Sequence, residues 1–283
     1  MTWNPEPSRT GRVRGMFAVA ALVLMAGAPG AETLVPLERA HSHNDYYRQR
    51  PLLDALDLGI CSIEADIFLV DGELLVAHDL HRTAPDKTLR GMYLDPLLER
   101  ARKNNGRIYP DGPPVILLID IKDDGEKTYA KLREVLQDYK EMLTVFTRDS
   151  TEPRAVTVLI SGNTPRDTIA GESPRLAAID GRLPDIEKAT SPHLTPLVSA
   201  SWDSVFQWRG DGPMPEEEQA RLKELVARAH ANGQRIRFWG LPFGRQVWPV
   251  LYEAGVDMLN ADHLPAIHKF LHERMREERM NAP

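Results

Sequence analysis

The sequence is almost free of cysteine: Cys61 is the only one among 283 residues, so no intrachain disulfide can form. It lies within Ile60-Cys61-Ser62-Ile63, an apolar strand-like run that suits a buried thiol better than a nucleophile. An excess of basic charge is also missing. The formal net charge is −6 and the pI is near 5.9, whereas a dedicated nucleic-acid binder normally shows a basic face. Phosphorylated small molecules are not excluded, because a bound cation supplies positive charge locally. The chain has no Walker-type phosphate loop, no Gly-x-Ser-x-Gly elbow and no zinc-type Cys/His spacing. Internal repeats, heptads, low-complexity tracts and any linker that would mark a second domain are absent as well.

Residues 16–25 form an apolar run well short of the ~20 residues that span a bilayer. Arg9, Arg12 and Arg14 precede it, and the small residues 26–31 follow. A basic segment, a short apolar run and small residues, in that order, are the layout of a secretory signal. Residues 1–31 are therefore expected to direct export, leaving a periplasmic or secreted domain over residues 32–283 with no stable membrane span.

What the chain does have is a strand-then-helix rhythm. Hydrophobic residues make up 42 % of it, enough for one large α/β core. Apolar runs predict eight strands, over residues 35–41, 61–67, 115–121, 156–161, 177–180, 197–201, 235–239 and 258–262. A ninth, over residues 74–77, follows the turn Asp71-Gly72 and is expected to form a hairpin with the second. Helices are predicted over residues 51–58, 126–138, 216–231, 245–254 and 265–275, with Gly59, Gly233 and Gly255 as stop signals. Eight buried strands alternating with helices predict a single TIM-type (β/α)8 barrel. Between residues 149 and 197 proline and glycine are frequent, and the elements there are the least sharply marked.

In such a barrel the chemistry sits where the strands end. The first strand ends in Ala40-His41-Ser42-His43-Asn44-Asp45-Tyr46, with His41 and His43 on one face. The second carries Glu64-Ala65-Asp66, and the hairpin returns with His78-Asp79. The third is apolar until Asp120-Ile121-Lys122, and the eighth ends in Asn260-Ala261-Asp262. Carboxylates that follow directly on apolar strands are costly unless paired or bound to a cation. Glu64, Asp66 and Asp120 together offer hard oxygen donors that suit Mg²⁺ or Ca²⁺ better than zinc. A histidine from the first strand, His41 or His43, and His78 from the hairpin could flank such an ion as general base and acid. Lys122 would add a positive contact, Asn44 would position substrate, Asp79 would orient His78, and Trp239 would wall the pocket. Each also has a plain structural alternative, as turn former or packing.

At these residues the chain resembles the phosphatidylinositol-phospholipase-C-like phosphodiesterase superfamily, in particular its glycerophosphodiester phosphodiesterase and sphingomyelinase D-like branches. The resemblance lies in a histidine ending the first strand, then Glu64-x-Asp66, then His78-Asp79 fourteen positions after Glu64, then Asp120-x-Lys122. His43-Asn44-Asp45-Tyr46 with Arg48, Pro51-Leu52 and Asp54-Ala55-Leu56, together with Arg237-Phe238-Trp239 and Asn260-Ala261-Asp262, is most similar to the branch named for the altered inheritance of mitochondria protein 6. That resemblance implies metal-dependent phosphoryl transfer on a small phosphodiester or phospholipid, in some members through a cyclic phosphate. His41-Ser42-His43 departs from the His-Arg-Gly of glycerophosphodiesterases. The guanidinium beside the first histidine is missing, with Arg48 and Arg50 as candidates to replace it. Both His41 and His43 compete for the first catalytic role, His41 matching the Ala-His pattern better.

Two other classes fit parts of the pattern. A binding protein could keep the barrel and its ion to hold a phosphorylated ligand, although binding alone needs no acid/base pair. An amidohydrolase-like metal enzyme also begins with His-x-His, but it needs more histidine ligands from later strands. His193, His230, His263, His268 and His272 fall in helices or loops instead and read as surface residues.

Overall fold

Eight strands, each followed by a crossover, close on themselves: β1 (Leu37–Ser42), β2 (Ile60–Val70), β3 (Val115–Ile121), β4 (Val156–Gly162), β5 (Ala177–Gly181), β6 (Leu197–Ser201), β7 (Arg235–Trp239) and β8 (Met258–Ala261). In this computed structural model, residues 1–2, 34–242 and 246–281 are described. All but the first two residues of the expected export segment therefore lie outside the described residues. Contacts divide the chain into Met1–Thr33 and Leu34–Pro283, and the second unit carries the barrel. Neighbouring strands pair in parallel in chain order, and β1 pairs with both β8 and β2, which closes the barrel. The expected hairpin is present: Glu73–Val76 runs antiparallel to β2. Its turn, Asp71-Gly72, takes positive φ at both positions (49° and 83°), the geometry that matches the twist of a two-residue hairpin.

Predicted and observed strands agree within a few residues. β2 is longer than its apolar run because the hairpin partner extends it to Val70. The helices Gly125–Gln137, Glu216–Ala231, Val247–Glu253 and Leu264–Asn281 stand where periodicity places them. The first predicted helix shrinks to one turn, Leu53–Leu56. The physical reason is Leu52, held at φ 65° and ψ −54° with Leu53 N–H bonded to the Pro51 carbonyl at 2.7 Å. That is a γ-turn, strained for a leucine and outside the helical region, so the helix cannot begin before Leu53. Helix Asp95–Lys103 and the short helices Arg166–Gly171 and Leu183–Glu187 were not marked by the sequence pattern.

Alternation along the strands separates two apolar sets. One set, including Ile63, Ala65, Ile67, Leu117 and Ile119, packs outward against the helices. The other, Ile116, Leu118, Leu159, Ala178, Leu197 and Met258 with Phe146, fills the lower interior of the barrel. Above it, toward the C-terminal ends of the same strands, the interior turns polar. Cys61 is core, as its context implies, and burial pushes its thiol up to about 12.

Candidate functional site

Register brings the polar interior residues level with one another. His41 lies opposite Ser62 on one side and Asn260 on the other. Asp66 lies opposite Asp120, and Asp120 opposite Ser161. Side chains at paired positions share a face, so neighbouring strands deliver these groups to one mouth.

The carboxylates converge as expected. Glu64, Asp66 and Asp120 each offer an oxygen within 4.8 Å of the others. Lys122 Nζ bridges two of them, at 2.9 Å from Asp66 Oδ2 and 3.1 Å from Asp120 Oδ1. Tyr46 O–H also approaches Asp66 Oδ2, at 2.7 Å. Asp66 Oδ1, in contrast, is buried with no partner at all. Burial pushes Asp66 up to about 6 and raises Asp120 too, although Lys122 pulls both the other way. For Glu64, burial works to raise the pKa, but His41 and the Arg237 guanidinium hold the carboxyl well below its ordinary range.

The two first-strand histidines have different surroundings. His41 is completely buried. Arg237 Nη1 lies 2.5 Å from its Nε2, and its Nδ1 lies 2.7 Å from Ser62 Oγ. A guanidinium can only donate, so Nε2 is the acceptor and the ring proton sits on Nδ1, directed at Ser62. Burial and the neighbouring Arg237 charge lower its pKa to about 4. His43 keeps 31 % of its side chain exposed, with Nδ1 at 2.7 Å from Asp262 Oδ1 and Nε2 at 3.8 Å from Glu64 Oε2. Burial alone would lower its pKa, but the Asp262 hydrogen bond and the Glu64 charge outweigh that and raise it.

The loop after β1 is built to hold this arrangement. Asn44 adopts the left-handed conformation (φ 49°) that asparagine tolerates, and its backbone N–H donates to Glu64 Oε2 at 3.1 Å. Its side-chain carbonyl accepts from Tyr46 at 2.5 Å. Asp45 is fully buried and accepts from Ser42 Oγ–H at 2.7 Å, Leu52 N–H at 2.5 Å and Tyr93 O–H at 3.1 Å. It thus pins the strained Leu52 turn to the strand end. Asp45→Asn leaves one of these donors facing an N–H₂ group, and is expected to cost about 1–3 kcal/mol, read from urea unfolding.

His78 leaves the sheet next to Asp66, where Ala77 N–H donates to the Asp66 carbonyl at 3.2 Å. Its ring is 47 % exposed, lies 3.3 Å from Asp79 Oδ1, and stacks on Tyr47 with centroids 6.3 Å apart. Asp79 also approaches Arg82, at 3.7 Å. Trp239 is exposed at the end of β7, while Trp202 and Trp208 pack in the core. An open cleft of about 550 Å³ adjoins His43, lined by Leu241, Pro242, Val247, Trp248 and Asp262 among others.

Neither Arg48 nor Arg50 takes the place of the missing guanidinium. Arg48 donates to the backbone carbonyls of His43, Ala261 and Asp262, and Arg50 pairs with Asp54 and Asp57 on the surface. The guanidinium that meets a first-strand histidine is that of Arg237, a residue to which the sequence alone assigns no role. The same holds for Asp262, which meets His43 Nδ1. Polar residues ending β7 and β8 were the available signal for both.

Residues 31–177 match the family described as the AIM6-like phosphodiesterase domain. The chain is 32 % identical over 270 residues to Altered inheritance of mitochondria protein 6 from Eremothecium gossypii, covering 83 % of this chain and 69 % of that one. Among solved structures it is similar to a glycerophosphodiester phosphodiesterase from Parabacteroides distasonis, with a TM-score of 0.52, 14 % identity, and coverage of 84 % and 99 % of the two chains. It is also similar to a calcium-dependent phosphoinositol-specific phospholipase C from a Pseudomonas species, with a TM-score of 0.53, 13 % identity, and coverage of 79 % and 88 %. At such identities these two likenesses carry the barrel fold and nothing finer.

Proposed function

Because the chain belongs to the AIM6-like phosphodiesterase family, we propose that it cleaves a phosphodiester with a hard divalent ion, Mg²⁺ or Ca²⁺, and two histidines. Two observations carry the reading: Glu64, Asp66 and Asp120 each offer an oxygen within 4.8 Å of the others, and Asp66 Oδ1 is buried with no partner. A buried acceptor of this kind is expensive unless a cation completes it. All the donors are oxygens, which fits a hard ion. Glu64, Asp66 and Asp120 would hold it, and when bound it would supply a Lewis-acid contact to a non-bridging phosphoryl oxygen.

His43 is the better placed of the two first-strand histidines. It reaches solvent, and Asp262 fixes its ring as an orienting carboxylate does. The Nε2 lone pair of His41 is already taken by Arg237, so His41 acts as a structural anchor. In this reading His43 takes the proton of the attacking hydroxyl and His78 delivers one to the leaving oxygen. Lys122 bridges Asp66 and Asp120 and offers a positive contact beside the phosphate, Asn44 fixes Glu64 through its backbone N–H, and Trp239 lines the rim. A pure binder would have no use for a solvent-facing, carboxylate-oriented histidine. An amidohydrolase-like centre is less well supported: only the first-strand histidines adjoin the carboxylates, His41 and His43 at 3.6 and 3.8 Å from Glu64, and none from a later strand joins the cluster among the described residues.

The substrate is proposed to be a glycerophosphodiester or related phospholipid headgroup. Purified protein assayed by ³¹P NMR against glycerophosphodiesters, lysophospholipids, sphingomyelin and phosphoinositides, with Mg²⁺, Ca²⁺ or EDTA, tests this. Metal-dependent turnover of at least one is expected, and the spectrum separates a cyclic from an open product. Inertness toward all four classes with either ion would contradict the assignment.

Gly162 offers a second check on the ion. A Cβ there would stand 2.3 Å from Asp120 Oδ1, and φ is +69°. The same Cβ would meet the Ile121 carbonyl oxygen at 2.4 Å, so Gly162→Ala is expected to shift the strand end, displace Asp120 and weaken divalent binding by about 10–100-fold, as losing the support of a ligand does. Calorimetric titration measures it, with an unchanged circular dichroism spectrum as control.

Export is proposed from residues 1–31. Among the described residues no helix is long and apolar enough to cross a membrane. A secreted sample should begin near Ala31 or Glu32, and deleting residues 1–31 should leave the melting temperature within error. A loss of several degrees would show that the segment packs on the barrel.

A further inference from the structure

Arg237 is 3 % exposed, yet it forms no ion pair with any carboxylate of the described residues. The other cations around the mouth are committed: Lys122 to Asp66 and Asp120, Arg182 to Asp180, and Arg48 to the carbonyls of His43, Ala261 and Asp262. A buried guanidinium with no carboxylate in direct contact is costly, and Glu64 acts on this one only through space, so its position suits an anion that arrives from outside.

Its three nitrogens show where. Nε donates to Ser199 Oγ at 3.0 Å, and Nη1 donates to His41 Nε2 at 2.5 Å. Two neutral acceptors therefore lock the fork in the barrel wall. Nη2 has no hydrogen-bond partner among the described residues, and it is not one of the buried unsatisfied atoms, so it keeps contact with solvent. Glu64 and Asp120 both feel its charge without touching it. With these two carboxylates and Asp66 ionised against Lys122 and Arg237, the mouth holds one excess negative charge. A divalent ion turns that into one excess positive charge, which a singly charged phosphodiester neutralises.

We propose that Arg237 is the phosphate-binding cation of this site, presenting Nη2 to a non-bridging phosphoryl oxygen from the β7 wall while Ser199 and His41 hold its fork rigid. It supplies from the seventh strand the guanidinium absent beside the first histidine. His41 and Ser199 are thereby positioning residues. The inference rests on the phosphodiesterase reading for its ligand class, yet it is tested on binding alone. Arginine suits the task because its fork is pre-organised and stays charged.

Inorganic phosphate is the probe, titrated calorimetrically into the Mg²⁺-loaded full chain, with Mg²⁺ affinity measured on the same samples. Arg237→Met should lower phosphate affinity at least tenfold while Mg²⁺ affinity holds or rises, since a neighbouring repulsive charge has gone. A merely structural arginine would instead lose both affinities together, which overturns the inference. So does unchanged phosphate affinity, or no measurable phosphate binding by the wild type. If Arg237→Met does not fold, Arg237→Lys decides. It should keep Mg²⁺ affinity and lose phosphate affinity several-fold, and equal phosphate affinity overturns the inference. A protein that binds phosphate through Arg237 but turns over no phosphodiester keeps this inference and loses the hydrolase reading.

Discussion

Asp66→Asn is expected to lower kcat/KM toward a turned-over phosphodiester by about 10³-fold, since a lost Lewis-acid contact removes several kcal/mol of transition-state stabilisation. Asparagine keeps the shape and can still accept from Tyr46, so the fold should survive. What it loses is the charge on Oδ1, the oxygen with no protein partner. The same variant carries an opposite signature in stability. Burial pushes the Asp66 carboxyl up to about 6, so the folded protein holds this proton more tightly than the unfolded chain does. The contribution of this group to stability is therefore present at low pH and lost as pH rises through about 6. At pH 8 in EDTA, Asp66→Asn should melt no lower than the wild type. Activity lost and metal-free stability kept or gained is the mark of a functional carboxylate. Equal activity with reduced stability would make Asp66 an ordinary structural partner of Lys122.

His43→Ala and His78→Ala should each lower kcat by about 10²–10⁴-fold with the fold intact. His41→Gln should behave differently. It removes a buried hub between Arg237 and Ser62, so it should lower stability first and activity through mispositioning. Asp262→Asn should follow His43→Ala in direction but with a smaller loss, because it disturbs only the orientation of the ring. Near-normal turnover in His78→Ala would remove the two-histidine scheme, leaving His43 to act alone or with water. A full catalytic loss in His41→Gln with unchanged stability would return the first role to His41.

The barrel was legible because its physics is repetitive. Eight apolar strands alternate with helices, and a buried parallel sheet with crossovers has few other ways to close. Glu64, Asp66 and Asp120 were legible for a related reason. Carboxylates placed directly on apolar strands demand a partner, and register puts Asp66 beside Asp120. The hairpin announced itself through Asp71-Gly72.

Arg237 and Asp262 were not legible as partners of the histidines. Their contacts span 196 and 219 residues and exist only because β7 and β8 return to β1. No local spacing encodes such a closure. The choice between His41 and His43 was open for the same reason: both project from the same strand end, and only the groups arriving from β7 and β8 separate them. The γ-turn at Leu52 escaped because a leucine carries no signal for positive φ. It is fixed instead by Asp45, seven residues earlier.

Phosphodiester cleavage is expected to depend on an ion held by Glu64, Asp66 and Asp120. The most direct measurement is turnover of one phosphodiester as a function of free Mg²⁺ or Ca²⁺, on the same protein whose ion affinity is read by calorimetry. Turnover should vanish in EDTA, return on adding the ion with the midpoint of the binding curve, and require far more ion in Asp66→Asn. Undiminished turnover by the wild type in excess EDTA would contradict it.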